Sequence, residues 1–196
     1  MTFEDWVIPC EKTVKYFANV FDIANYKTEN ELIALFSEVP TAENIKRRVN
    51  RLSAIYGTRI SKPDQDTISD FIFSDGIVGK AKTGELDVVN RLAFNGERKY
   101  RKCLSFASKF CSFCNPDLYP IYDSLVLESL LQLNKKEPFD STYDEKERNQ
   151  IKYYYNYKRF CELIDNFRKY TAFGLGNCTL RELDKYLWIA GKGLED

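Results

Sequence analysis

Apolar residues recur at helical spacing along almost the whole chain, which predicts an all-α protein. Over residues 11–23, Val14, Phe17, Ala18 and Phe21 line one face, as an amphipathic helix requires. Thr28 and Glu31 then stand three apart ahead of Leu32, Ile33, Leu35 and Phe36. At that spacing each side chain can bond the other's backbone N–H, so a new helix is expected to start there. Pro40 follows its end, and Thr41 caps the next helix, which carries Ile45, Val49, Leu52 and Ile55 up to Gly57. Residues 61–66 read as a loop around Pro63, and two helices fit between Thr67 and Phe94, broken by Gly76, Gly79 and Gly84. A longer helix is expected over about 97–114, stopped at Asn115-Pro116 because the residue before a proline is pushed out of the helical region. A loop over 117–122 leads to a helix through Leu133, and residues 134–143 read as a polar connection open to insertion. A helix over about 144–170 and a turn at Gly174-Leu175-Gly176 follow. Thr179 and Glu182 repeat the reciprocal capping pattern ahead of the last helix, which should stop near Gly191.

These elements predict one multi-helical bundle domain over 1–196, with N-terminal helices in 1–40, a central group in 41–134, a connection at 135–143 and C-terminal helices in 144–196. With 44% hydrophobic residues, including 14 Phe and 13 Tyr, the chain can bury a substantial core. Its apolar runs fall well short of the roughly 20 residues that span a bilayer. Residues 1–10 carry Glu4, Asp5 and Trp6 where a signal peptide needs basic residues and then an apolar stretch, which predicts a cytoplasmic protein and no membrane partner. In that compartment the six cysteines are expected to be free, mostly buried thiols. Histidine is absent, which excludes Ser-His-Asp and Cys-His catalysis and any His-ligated zinc. No metal and no cofactor are expected.

Net charge is zero, but its distribution is uneven. Residues 44–62 hold Lys46, Arg47, Arg48, Arg51, Arg59 and Lys62 and no acid; residues 91–109 hold Arg91, Arg98, Lys99, Arg101, Lys102 and Lys109 against Glu97 alone. Two such segments can converge into a surface for phosphates. The nucleic-acid-binding candidates are therefore Arg47, Arg48, Arg51, Arg98, Lys99, Arg101 and Lys102, with solvated helix faces as the equally weighted reading.

The most specific segment is 105–126. Positions 103, 106, 107, 110, 111 and 114 form an apolar helix face, and Lys102, Ser105, Lys109 and Ser112 form the opposite, polar one. Lys109 is followed 14 residues later by Asp123, in Pro120-Ile121-Tyr122-Asp123-Ser124, at the start of the next helix. Phe106, Ser108, Lys109, Pro116, Asp123 and Val126, together with the closing Leu183-Asp184-Lys185-Tyr186-Leu187-Trp188 and Gly191, resemble the helix-hairpin-helix DNA glycosylase superfamily. The likeness is closest to its bacterial branch with an 8-oxoguanine glycosylase-like fold. The family's hairpin has its nearest counterpart at Asn95-Gly96-Glu97-Arg98.

The resemblance implies a DNA-binding protein that breaks an N-glycosidic bond, in which a lysine attacks the sugar C1′ and an aspartate assists. Lys109 is the candidate nucleophile and Asp123 the assisting carboxylate; Lys102, 21 residues before Asp123 and nearer the family's usual spacing, is the alternate nucleophile. A lysine that attacks must be neutral and partly desolvated, and an aspartate at a helix N-terminus stays ionised beside unpaired N–H groups. Tyr119, Tyr122 and Trp188 are candidates for stacking against a flipped base. Cys111 and Cys114 share the apolar helix face and read as core. The alternative reading is a non-catalytic helical module that binds a protein partner. A nucleotide or nucleoside binder reusing the base pocket is a third.

Overall fold

The computed structural model describes residues 9–58, 60–85, 87–94, 103–142 and 157–192. The described residues are helical with no strand, and they contain nine helices: α1 (Glu11–Ser37), α2 (Ala42–Tyr56), α3 (Lys62–Ser74), α4 (Ile77–Thr83), α5 (Asp87–Phe94), α6 (Leu104–Cys114), α7 (Ser124–Lys136), α8 (Tyr157–Lys169) and α9 (Leu180–Lys192). The all-α expectation is met. None of the described helices is long and apolar enough to cross a membrane. The chain forms two compact units, a central one over Asn25–Ile121 and a terminal one made of Met1–Ala24 with Tyr122–Asp196.

The new helix expected at Thr28 does not form, because α1 runs unbroken through it. No glycine or proline lies between Ala24 and Glu31 to interrupt the hydrogen-bond ladder. Glu31 does not fold back as a cap either; its Oε2 accepts from Arg51 Nη2 of α2 at 2.5 Å.

In the central unit, Thr41 caps α2 as expected, its Oγ1 accepting from the Asn44 N–H at 3.2 Å. The loop expected at 61–66 is instead the first turn of α3. Ser61 is the cap, accepting from the Asp64 N–H at 3.4 Å, and Pro63 sits in the opening turn, where its missing N–H would have had no partner anyway. Three helices rather than two therefore occupy the stretch to Phe94, and Gly79 lies inside α4 instead of breaking it. Gly84 does end α4, with φ +87°; a Cβ there would come within 2.7 Å of Leu118 Cδ1, so both backbone sign and space call for glycine. Helix α6 packs on α5 and also meets α2 and α4. It buries Leu104, Phe106, Ala107, Phe110 and Cys111 on its apolar face, and Phe36 of α1 stacks edge-on against Phe110 with centroids 5.0 Å apart.

In the terminal unit, α9 packs along α7. Ser129 Oγ shares its proton between Leu125 O at 2.8 Å and Leu187 O at 3.0 Å, joining the two helices. The second capping box is present: the Thr179 N–H donates to Glu182 Oε2 at 2.7 Å, and the Glu182 N–H donates to Thr179 Oγ1 at 3.2 Å. A cap of this kind contributes about 1 kcal/mol. Helix α9 runs to Lys192, so it ends near Gly191 as expected.

The segment read as a connection open to insertion is tied down instead. Asn134 belongs to α7, and its Oδ1 accepts from the N–H groups of Phe139 and Asp140 at 2.9 and 2.8 Å. Asp140 is buried and ion-paired with Arg159 of α8 at 2.7 Å. Phe139 is held edge-on by Phe167 at 5.2 Å.

Candidate functional site

Lys109 lies on the second turn of α6, on the face that the sequence marks as polar. That face is not solvated. Lys109 is 5% exposed, and Ser108 and Ser112 beside it are buried as well. The solvated-charge reading of Lys109 therefore fails, for a reason local pattern cannot supply: α2 covers this side of α6 in the folded unit. Removing an ammonium group from water is costly unless polar or polarisable groups replace the water. Here Nζ donates to Ser105 Oγ, one turn back, at 2.7 Å. The group also stands 5.2 Å from the ring centroid of Tyr56, the last residue of α2, within the range of a cation–π contact. The Tyr56 hydroxyl in turn donates to Glu29 Oε1 of α1 at 3.2 Å.

Asp123 is the N-cap of α7, in extended conformation, and its Oδ1 accepts from the Leu125 N–H at 3.0 Å. The capping role expected for it is real. It leaves the carboxylate half-buried at the positive end of the helix, where negative charge is stabilised. Lys109 is a residue of the central unit and Asp123 of the terminal unit.

The basic candidates separate sharply. Arg98, Lys99, Arg101 and the alternate nucleophile Lys102 lie outside the described residues. Arg48, assigned to phosphate contact, is corrected: its side chain is 0% exposed. Its Nε donates to Leu35 O at 3.0 Å and its Nη2 to Glu38 O at 2.5 Å, closing the C-terminal end of α1, while its guanidinium stands 5.2 Å from the Phe36 ring centroid. Burial pulls the pKa of this guanidinium below its ordinary value. Arg47 and Arg51 are exposed but paired, Arg47 with Glu38 at 3.0 Å and Arg51 with Glu31 at 2.5 Å. Lys46 likewise meets Asp66 at 2.9 Å. The arginine pairs flank a shallow groove of about 510 Å³ over Leu35, Asn50 and Ala54. The acid-free stretch of α2 is thus matched by acids from α1 and α3, and its surface has alternating charge.

Of the base-stacking candidates, Tyr119 is corrected. It is 0% exposed and its hydroxyl donates to Glu85 O at 3.0 Å, so it pins the core and offers no free face. Tyr122 is half-buried, with its ring edge-on to Phe160 at 5.1 Å. Trp188 is half-buried, with Phe21 edge-on at 5.5 Å and Lys192 Nζ 4.3 Å from its ring centroid.

All six cysteines are free. Burial pushes the Cys111 thiol well up and raises Cys114 to about 12, in keeping with the core reading of the pair. Cys10 went unremarked in the sequence. It stands exposed just before α1, and hydrogen bonds from the Thr13 side chain and backbone hold its thiol below the ordinary value. The signal available for it was position alone, immediately ahead of an amphipathic run.

A family model described as HI_0787_N, N-terminal domain, matches residues 11–118. A Haemophilus influenzae protein described as uncharacterized is 36% identical over 116 residues, which is 58% of this chain and 49% of that protein. The chain thus spans about half the length of the curated relative it matches. No solved structure matches it. The matched segment carries Lys109 and ends before Asp123, close to the division between the two compact units. With one model accounting for more than half of its length, from the first turn of α1 to the turn after α6, the chain belongs to the HI_0787_N N-terminal domain family.

Proposed function

We propose that the protein binds DNA and cleaves an N-glycosidic bond, with Lys109 as nucleophile and Asp123 as the assisting carboxylate. The observation that carries this reading is the burial of Lys109 at 5% exposure, inside the segment that resembles the catalytic part of helix-hairpin-helix glycosylases. Surface lysines rarely give up their water without a reason. A reactive amine needs that dry setting.

In the proposed reaction the neutral amine attacks C1′ as the C1′–N bond breaks, and the base leaves with the bonding pair and takes up a proton. One of the two amine protons passes to the departing base; the C1′–O4′ bond then opens, O4′ takes a proton from solvent, and an iminium that keeps the second N–H proton is left between Nζ and C1′. In this proposal the Asp123 carboxylate, held as a cap by the Leu125 N–H, opposes the positive charge that develops on the sugar.

Borohydride trapping tests the proposal. The protein is incubated with duplex and single-stranded oligonucleotides carrying oxidised, deaminated, alkylated or abasic sites. A covalent adduct lost in Lys109→Gln and kept in Lys102→Gln is the expected result. An adduct lost only in Lys102→Gln would move the nucleophile, and no adduct on any substrate would remove the Schiff-base step.

One observation favours the second reading, a module that binds a protein partner. Tyr16, Ile23, Tyr26 and Ile33 of α1 are each more than half exposed. If Lys109→Gln left the protein's cellular effect intact while polar substitutions at Ile23 abolished it, this second reading would hold.

A further inference from the structure

We infer that Tyr56 and Glu29 are positioning residues for the Lys109 amine, an inference that rests on the proposed role of Lys109. Residues of three helices that are distant in sequence form a chain of contacts that ends at one nitrogen. Ser105 of α6 accepts from Nζ at 2.7 Å, and Tyr56 of α2 places its ring 5.2 Å from Nζ. Glu29 of α1 accepts the Tyr56 hydroxyl proton at 3.2 Å. Glu29 is itself only 8% exposed, and a carboxylate is seldom buried unless its bonds matter to something.

The chemistry of the arrangement suits a group that must both be held and react. An aromatic face attracts an ammonium electrostatically but takes no proton from it. It therefore helps to fix the amine's position without competing for its proton. The Ser105 hydroxyl accepts from either the charged or the neutral amine. The Glu29 carboxylate stops the tyrosine from rotating away, since the ring sits at the end of α2, one residue before Gly57, where backbone restraint is weakest. A lysine needed only for packing would gain nothing from a ring anchored in this way.

The test uses two aldehydes with borohydride: an abasic-site duplex, and pyridoxal phosphate as a small probe that needs no DNA recognition. Adducts at Lys109 are mapped by peptide mass spectrometry in the full chain, at several aldehyde concentrations. Tyr56→Leu is expected to slow adduct formation at saturating aldehyde by about tenfold with little change in the half-saturating concentration, the mark of lost orientation rather than lost binding. Tyr56→Phe, which keeps the ring, should lose only about threefold. Glu29→Ala should lose activity and Glu29→Gln, which still accepts from the hydroxyl, should recover it; this pair decides the matter if Tyr56→Leu does not fold. Wild-type rates in both Tyr56→Leu and Glu29→Ala would overturn the inference, as would a wild-type protein that forms no Lys109 adduct with either aldehyde. A Tyr56-dependent adduct with pyridoxal phosphate but none with DNA would sustain the positioning role while removing the glycosylase reading.

Discussion

Arg159 and Asp140 meet in the interior of the terminal unit, Nη2 to Oδ2 at 2.7 Å, with both side chains almost wholly shielded from water. Burial pushes the Asp140 carboxyl up, but the Thr142 hydroxyl, the Thr142 N–H and Arg159 outweigh it and hold the group below its ordinary range. A carboxyl lowered by folding stabilises the native state above its unfolded value, near 3.9, and that stability is lost as pH falls through the folded value. The melting temperature should therefore drop as pH is taken below about 4, and Asp140→Asn should show a shallower acid limb. Asp140→Asn should also cost about 3–5 kcal/mol at neutral pH, because it removes the negative charge opposite a buried guanidinium. Parallel acid limbs for the two proteins in calorimetry would contradict the assignment.

Gly191 and Gly79 both lie in helices, yet opposite outcomes are expected for alanine. A Cβ on Gly191 would stand 2.9 Å from Leu125 Cβ and from Leu125 O, so α7 and α9 would have to separate. Nothing lies within 4 Å of a Cβ built on Gly79. Gly191→Ala should destabilise by about 1–3 kcal/mol through overpacking. Gly79→Ala should stabilise by about 0.5–1 kcal/mol because alanine loses less backbone freedom in a helix. Urea unfolding of both variants checks the contrast.

Arg48 and Arg51, one turn apart on α2, should differ just as clearly. Arg48→Leu removes two hydrogen bonds to the end of α1, one of them to the buried Leu35 carbonyl, at a cost of about 2–4 kcal/mol. Arg51 forms a surface pair with Glu31, so Arg51→Ala should cost about 1 kcal/mol or less. Denaturant midpoints measured side by side would show the difference, and equal losses would argue against the buried placement of Arg48.

Thiol labelling should proceed in two phases. Cys10 is exposed and lowered, whereas burial raises Cys103 to about 11, Cys161 to about 12 and Cys178 to a lesser degree. Only thiolates react appreciably. Native protein treated with iodoacetamide near neutral pH should reach a plateau at one label by intact mass, and Cys10→Ser should abolish the fast phase. Rapid uptake of several labels in the folded protein would contradict the burial of the others.

Much of the local architecture could be read from the chain without coordinates. Thr41, the Thr179–Glu182 box, Asp123 as a cap and the apolar face of α6 all follow from interactions within a turn or two, so spacing and residue type suffice to find them. The same local rules misread Thr28 and Pro63. A capping pattern only permits a helix to start, and proline is harmful inside a helix but not in its first turn.

What neighbours in sequence could not decide was which polar side chains would leave water. Arg47, Arg48 and Arg51 look alike along the chain, yet the return of α2 along the end of α1 buries one and pairs the other two with acids more than a turn away. Tyr119 was indistinguishable from a surface aromatic until Glu85, 34 residues earlier, supplied its acceptor. The dry setting of Lys109 arises in the same way, because Tyr56, itself bonded to Glu29 of α1, reaches it from another helix. Helix formation is governed by contacts three or four residues apart and is legible as a pattern. Burial of a charge depends on partners brought together only when the helices pack.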